Sequence, residues 1–299
     1  MKRFRLLVAA FAAALLTAVP FSACGATNSE DSQDRQIGQE LVPDTQTPDD
    51  SGLGNGEYEA NNGESGNGNS VGGGESQNKP QPELPSKPAT AKYFTVTSDG
   101  VNIRAGAGTG YSVRGQAEKS TLYCLSGQDG DWYKTGYRNN TAYLSTKYCK
   151  LVELPASDNQ LIESVIEEGC KLLGTPYVYG AVRLHDGSGK LLKNFTTNEF
   201  DCSSLMQYIF YKGADKLLQV NTRTQVYQGK TVTKAQLQRG DLMFFTNAER
   251  KNKTGVERVG HVALYLGDNY ILHTASDYAK IEQISSLRWS YFIQGQRII

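Results

Sequence analysis

The spacing of apolar residues divides the chain into four stretches. Leu6 to Phe21 is an almost unbroken apolar run, interrupted by Thr17 and Pro20 and preceded by Lys2-Arg3-Phe4-Arg5. From about Gly25 to Thr90 apolar residues give way to Gly, Asn, Ser, Glu, Asp and Pro. Such a segment buries too little surface to offset its ordering entropy, which predicts a disordered linker over residues 24–91. Residues 92–152 run in short β-favouring pieces: Phe94-Thr95-Val96-Thr97, Val101-Asn102-Ile103-Arg104, Thr121 to Leu125, Asp131 to Lys134 and Thr141 to Leu144. Gly and Asn turns separate them, so this stretch predicts a small β-barrel.

Residues 157–299 mix two periods. Ile162, Val165, Ile166 and Leu173 recur at helical spacing, with Ser157-Asp158 offering an N-cap and Gly174 a C-cap. Leu205, Met206, Ile209 and Phe210 predict a second helix, capped by Asp201 and starting at Cys202. Arg258 to Gly267 reads as a strand, turning at Asp268-Asn269 into a second strand, Tyr270 to Ala275. The hairpin register carries chemistry. If Gly267-Asp268-Asn269 form a three-residue loop, Leu266 faces Tyr270 and Ala263 faces His273. His261 and His273 then become diagonal neighbours on one face. A two-residue loop would put them on opposite faces.

Charge sharpens the organisation. The balance is even, 31 basic against 31 acidic residues, but segregated. Residues 1–24 carry +3, residues 25–78 carry −10, and the remainder +7. A charged start, a short apolar core and small residues mark residues 1–23 as an export signal, too short for the roughly 20 residues that span a bilayer. Cys24 follows Phe21-Ser22-Ala23, which resembles a bacterial lipobox with Phe in place of the usual aliphatic. That resemblance implies lipidation at Cys24 and attachment to a membrane through the N-terminal lipid. The linker, if flexible, would give a folded body a reach of roughly 45 Å from that anchor. The mildly basic body is suited to an anionic polymer, and no nucleic-acid partner is expected.

Five cysteines is an odd number for an exported chain. Setting aside Cys24 and Cys202 leaves Cys124, Cys149 and Cys170, for which a Cys124–Cys149 bridge and buried thiols both stay open. No Cys-x-x-Cys or His-x-x-x-His spacing occurs, so neither a metal nor a cofactor is expected. The predicted position of Cys202 in a helical first turn favours a thiolate, because the aligned peptide dipoles stabilise negative charge there. Asp201 opposes this with its own charge, so a nearby imidazolium is needed. His261 is the candidate base and His273 the group that orients it. His185 reads as a surface loop residue.

Five blocks occur in order: Thr175-Pro176-Tyr177-Val178-Tyr179-Gly180, Phe200-Asp201-Cys202-Ser203-Ser204, Arg239 to Phe245, Gly260 to Gly267 and Ile271 to Ala275. Together they resemble the NlpC family of papain-like cell-wall cysteine peptidases, over nearly all of residues 160–299. The resemblance implies an α+β fold, helices packed on an antiparallel sheet, in a catalytic domain over 157–299. It places the nucleophile on Cys202, the base on His261 and the polar orienting residue on His273. Tyr177 would lie beside the groove, Asp201 and Ser203 would shape substrate binding, and Arg223 would flank the site. The family implies peptidoglycan stem peptides as substrate, cut at the γ-D-glutamyl bond to a diamino acid. Residues 92–152 resemble a bacterial SH3-like domain, through Val101 to Arg104, Asp131-Trp132-Tyr133 and Tyr148 to Leu151. Trp132 and Tyr143 are its candidate contacts or core residues. Departures are Tyr179 for the usual Trp, Ala142-Tyr143 for Gly-Trp, and about a dozen extra residues between Gly180 and Cys202, expected to overhang the groove. The rivals are a CHAP-like amidase cutting the muramoyl–L-alanine bond and a non-catalytic wall-binding lipoprotein.

Overall fold

The computed structural model describes residues 89–299. The export segment, Cys24 and nearly all of the linker lie outside the described residues. The linker's last two positions are already structured, because β1 starts at Thr90. In chain order come β1 (Thr90–Val96), β2 (Val101–Arg104), β3 (Val113–Ala117), β4 (Leu122–Cys124), β5 (Gly127–Asp129), β6 (Trp132–Tyr137), β7 (Asn140–Ser145) and β8 (Cys149–Pro155). Then follow α1 (Gln160–Lys171), α2 (Cys202–Ala214), α3 (Thr222–Gln225), β9 (Lys230–Val232), β10 (Leu242–Phe245), β11 (His261–Gly267), β12 (Tyr270–Ala275), β13 (Tyr278–Gln283), α4 (Ser286–Ser290) and β14 (Phe292–Arg297). Among the described residues, four helices on antiparallel sheets make the fold α+β, as the resemblance implies.

Two sheets form. One is five-stranded, β3-β2-β7-β6-β5. The other runs β8-β1-β4-β13-β12-β11-β10-β14-β9, joined across its middle where Leu122 of β4 meets Ile281 of β13. Period-two alternation in β10–β13 gives the large sheet two apolar faces. Leu242, Phe244, Val262, Leu264, Leu272 and Ile281 belong to the main core with α1 and α2. Met243, Phe245, Ala263 and Ile271 belong to a smaller cluster reached by Trp289 and Phe292. Helix α1 sits tightly on α2 at Gly213, where a Cβ would come within 2.5 Å of the Val165 backbone.

Several local expectations need correction. Asn159 caps α1, accepting from the Leu161 N–H at 3.0 Å, in place of Ser157-Asp158. Leu172 closes that helix, and Gly174 (φ +80°) supplies the left-handed step two residues later. The β11–β12 hairpin closes with two left-handed residues, Asp268 (φ 46°) and Asn269 (φ 67°), with Gly267 opposite Tyr270. That two-residue turn matches the strand twist better than a longer loop. A bulge between Tyr265 and Gly267 then restores the register, with Tyr265 opposite Ile271 and Leu264 opposite Leu272. Ala263 therefore still faces His273.

The Cys124–Cys149 pairing does not form. Cys124 lies opposite Tyr93 and Cys149 opposite Val96, so β4 and β8 flank β1 on its two sides. Two strand spacings, roughly 9.5 Å, exceed what a disulfide spans. Cys124 instead bonds Cys170 near the end of α1, with Cα atoms 5.9 Å apart, and Cys149 stays outside any disulfide, burial pushing its thiol up to about 12. Arg239 makes a second tie between the β1–β8 unit and the rest. Its buried guanidinium donates to both Glu163 oxygens (2.7 and 2.8 Å), to the Leu266 carbonyl (2.8 Å) and to the Tyr93 hydroxyl (2.8 Å).

Candidate active site

Asp201 is held so that α2 starts at Cys202. One carboxylate oxygen accepts the Ser204 N–H at 2.7 Å and the Ser203 hydroxyl at 3.0 Å; the Ser204 hydroxyl accepts the Asp201 N–H at 2.9 Å, closing a capping box. The other oxygen meets Arg183 at 2.8 Å, with the aspartate side chain almost fully buried. Its charge is thus compensated by a guanidinium, which relieves the opposition to a neighbouring thiolate noted in the sequence. Cys202 is buried, 4% exposed, in the first turn, outside any disulfide.

Backbone pairing fixes where that turn sits. Phe200 exchanges bonds with the strand-like Thr175 block: its N–H donates to the Pro176 carbonyl (3.1 Å) and its carbonyl accepts from Val178 (3.0 Å). Tyr177 in turn donates its N–H to the Asp277 carbonyl at 2.9 Å, in the turn between β12 and β13. Because β11 runs antiparallel to β12, its first residue, His261, lies at the end of the sheet marked by that turn. Cys202 and His261 therefore come to one end of the sheet, and α2 packs across β11 and β12.

The histidines meet as the register demands. His261 Nε2 is 3.0 Å from His273 Nδ1, with the rings edge-on, and both side chains are buried. Behind them stands a residue that the sequence reading missed. Glu282 of β13 places Oε1 3.0 Å from His273 Nε2, and the Arg288 guanidinium of α4 donates to that same oxygen at 3.2 Å. Lys280 reaches the other carboxylate oxygen at 3.9 Å. Burial, and then the positive groups around it, hold His261 well below the usual imidazole range. His273 is lowered too, burial outweighing Glu282. Burial would raise Glu282, but His273, Arg288 and Lys280 together keep its carboxyl well below the usual carboxylate range.

The remaining candidates separate. Gln225 of α3 donates to the Ser203 carbonyl at 3.0 Å, so α3 is anchored to the first turn of α2 and carries Arg223 beside it. Arg223 sits 4.0 Å from Glu257, itself bonded to Arg250. Ser203 is buried between Asp201 and Arg183. Tyr177 is half-buried and Tyr179 exposed in the block paired to Phe200. Trp132 and Tyr143 are half-buried in the five-stranded sheet.

His185 departs from the surface-loop expectation. It is completely buried, its Nδ1 accepting the Gly187 N–H at 3.0 Å and its ring packed on Tyr211 of α2. The segment between Gly180 and Cys202 folds back along α2 and residues 217–220, as Gly187 beside Gln219 and Gly189 beside Leu217 mark. Its contribution to the site is Arg183, which also donates to the Val220 and Ala181 carbonyls. Among the described residues no group of three or more His, Cys, Asp and Glu side chains gathers as a metal site. No described helix is long and apolar enough to cross a membrane.

Residues 174–297 match the NlpC/P60 family model. Curated relatives include a gamma-DL-glutamyl hydrolase of Bacillus subtilis, 27% identical over 164 residues, covering 54% of this chain and 35% of that protein. The peptidoglycan endopeptidase RipB of Mycobacterium tuberculosis is 31% identical over 126 residues, covering 42% of this chain and 48% of its own length. The chain thus spans about a third to a half of these relatives. A solved structure of the peptidoglycan hydrolase RipB superposes with a TM-score of 0.37 at 28% identity, covering 47% of this chain and 65% of that one.

Proposed function

We propose that this protein is a peptidoglycan hydrolase, a cysteine endopeptidase that cuts stem peptides at the γ-D-glutamyl bond to a diamino acid. The observation that carries the reading is the 3.0 Å contact between His261 and His273, at the end of the sheet where α2 begins with Cys202. The family match over 174–297 and the wall-hydrolase relatives support it. In this reading residues 157–299 are the catalytic domain, 92–152 an SH3-like unit, 24–91 a tether, and 1–23 a signal that ends in lipidated Cys24. The enzyme is then exported and works at the outer face of the membrane, against the wall.

His261 takes the Cys202 proton, and the thiolate is stabilised by the imidazolium and by the start of α2. Sγ bonds to the stem-peptide carbonyl carbon, and the oxyanion is held by backbone N–H groups of that first turn, including that of Cys202. As the C–N bond breaks, His261 returns the proton to the leaving amine, giving a thioester. Water, deprotonated by His261, then attacks the thioester, and the carboxylic acid and the thiol are released. His273 holds the imidazole in place throughout. Asp201 and Ser203 shape the substrate pocket through the Arg183 contact, with Tyr177 and Arg223 at its margins.

The test is digestion of purified peptidoglycan by the full chain and by its Cys202→Ala variant, with products identified by mass spectrometry. New D-glutamate carboxyl ends made only by the intact protein support the reading. Cleavage at muramic acid would point to the amidase instead. No turnover with the Cys202 thiol demonstrably reduced would leave a wall-binding protein.

A further inference from the structure

We infer that Glu282, backed by Arg288, is a positioning residue that sets the proton on each ring nitrogen of the two-histidine relay and so makes Nδ1 of His261 the base. The inference rests on the proposed cysteine-peptidase reading and adds to it a residue and a direction.

The argument is one of donors and acceptors. Glu282 Oε1 accepts from Arg288 at 3.2 Å, and Lys280 lies on its other oxygen. With two cations against it the carboxylate stays ionised, and an ionised carboxylate can only accept. The 3.0 Å contact with His273 therefore requires the His273 proton on Nε2. In the neutral imidazole Nδ1 is then an acceptor. The 3.0 Å contact between His273 Nδ1 and His261 Nε2 requires in turn that His261 carry its proton on Nε2. Nδ1 of His261 is left as the unprotonated nitrogen. With both buried rings neutral, as burial favours, any other arrangement sets two N–H groups, or two lone pairs, against each other inside the protein, which costs about 1–3 kcal/mol for each unsatisfied buried group.

Charge works in the same direction. When His261 takes a proton from Cys202, the positive ring is bonded through His273 to an anion. Facing this chain are His261 on β11, His273 on β12, Lys280 and Glu282 on β13, Asp277 in the β12–β13 turn, which pairs with Lys280 at 3.2 Å, and Arg288 on α4. Glu282 is the acid bonded directly to the relay. Its loss leaves the relay beside Arg288 and Lys280, which disfavours an imidazolium. A thiolate–imidazolium pair then forms at higher pH.

The experiment uses the full chain with histidine labelled at both ring nitrogens. The sequence holds three histidines, so assignment is tractable, and His185 is an internal reference because its Nδ1 accepts from Gly187. The expected spectrum has a protonated Nε2 and a bare Nδ1 on both His261 and His273. In Glu282→Ala both should redistribute between tautomers while His185 does not change. In parallel, the pH midpoint for alkylation of Cys202 by iodoacetamide should rise by about one unit. Should Glu282→Ala fail to fold, Glu282→Gln keeps the volume and removes the charge, and the same upward midpoint shift is expected. A proton on Nδ1 of His261 in the unaltered protein would overturn the inference, as would tautomers and midpoint that ignore the loss of Glu282. These readouts need no turnover. A protein that cuts peptidoglycan with the wrong tautomers sinks this inference alone, while one with the expected tautomers and no cleavage sinks the proposed function alone.

Discussion

Removing the Cys124–Cys170 disulfide should cost about 4 kcal/mol of global stability. The two cysteines are 46 residues apart. In the chain-entropy account, cross-linking a loop of that length removes about 13.5 cal/mol/K from the unfolded chain, or about 4 kcal/mol at room temperature. The bond closes a loop that contains β5 to β8 and most of α1, tying the β1–β8 unit to the helix under β11 and β12. In Cys124→Ala/Cys170→Ala the cost in packing is small, since neither site holds a large side chain. For a urea slope near 2 kcal/mol/M, the midpoint should fall by about 2 M. The assay is equilibrium urea unfolding followed by fluorescence. Trp132 lies inside the closed loop and Trp289 of α4 outside it. Unfolding of versions that keep one tryptophan each should shift equally. A midpoint change below about 0.5 M would refute the reasoning. So would a shift seen by Trp132 alone, because the bridge would then stabilise only the β1–β8 unit.

Other outcomes follow from the same geometry. Arg239→Ala leaves Glu163 and the Tyr93 hydroxyl without their buried partner and should destabilise the fold by about 3 kcal/mol in urea unfolding. Gly213→Ala forces α1 and α2 apart at Val165 and should cost about 1–3 kcal/mol by the same measurement, with thermal unfolding as a check. Stability should also fall as pH drops through the histidine range. The unfolded chain binds protons on His261 and His273 near pH 6.5, while the fold keeps both neutral to lower pH, chiefly by burial. Below about 6.5 the unfolded state therefore holds more protons and is favoured; above it these groups contribute no slope. Glu282, held low in the fold, adds the same sign below about pH 4.5. Urea midpoints that rise from pH 7 to pH 5.5 would contradict this.

The α2 start was legible because its causes are local. Asp201, Ser204 and the apolar spacing from Leu205 to Phe210 lie within ten residues, and a cap acts within one turn. The Ala263–His273 pairing was legible too, although the loop was not. Asp268 and Asn269 both tolerate a left-handed backbone, so the shorter turn wins, and a bulge at Leu266 absorbs the residue left over. A reading that insisted on the two-residue turn without a bulge would have put the histidines on opposite faces.

What could not be read depends on alignments between segments far apart in sequence. Cys170 reaches Cys124 only after α1 is laid against β4, and nothing in the spacing of five cysteines encodes that. His185 read as a surface loop residue because nothing in the sequence ties it to Cys202, yet Arg183 turns inward to Asp201 and draws the segment onto α2. Glu282 is the instructive case. Its period-two pattern with Lys280 is plain, but linking it to His261 requires two registers in succession, β11 on β12 and then β12 on β13. Lys280 lies directly opposite His273, and Glu282 opposite Ile271, so the carboxylate meets the imidazole only across the diagonal. A slip of one residue in either hairpin would exchange the face that carries Glu282 for the one that carries Ile281. The acid behind the histidines is thus specified by the turn that brings them together and by the turn that follows it.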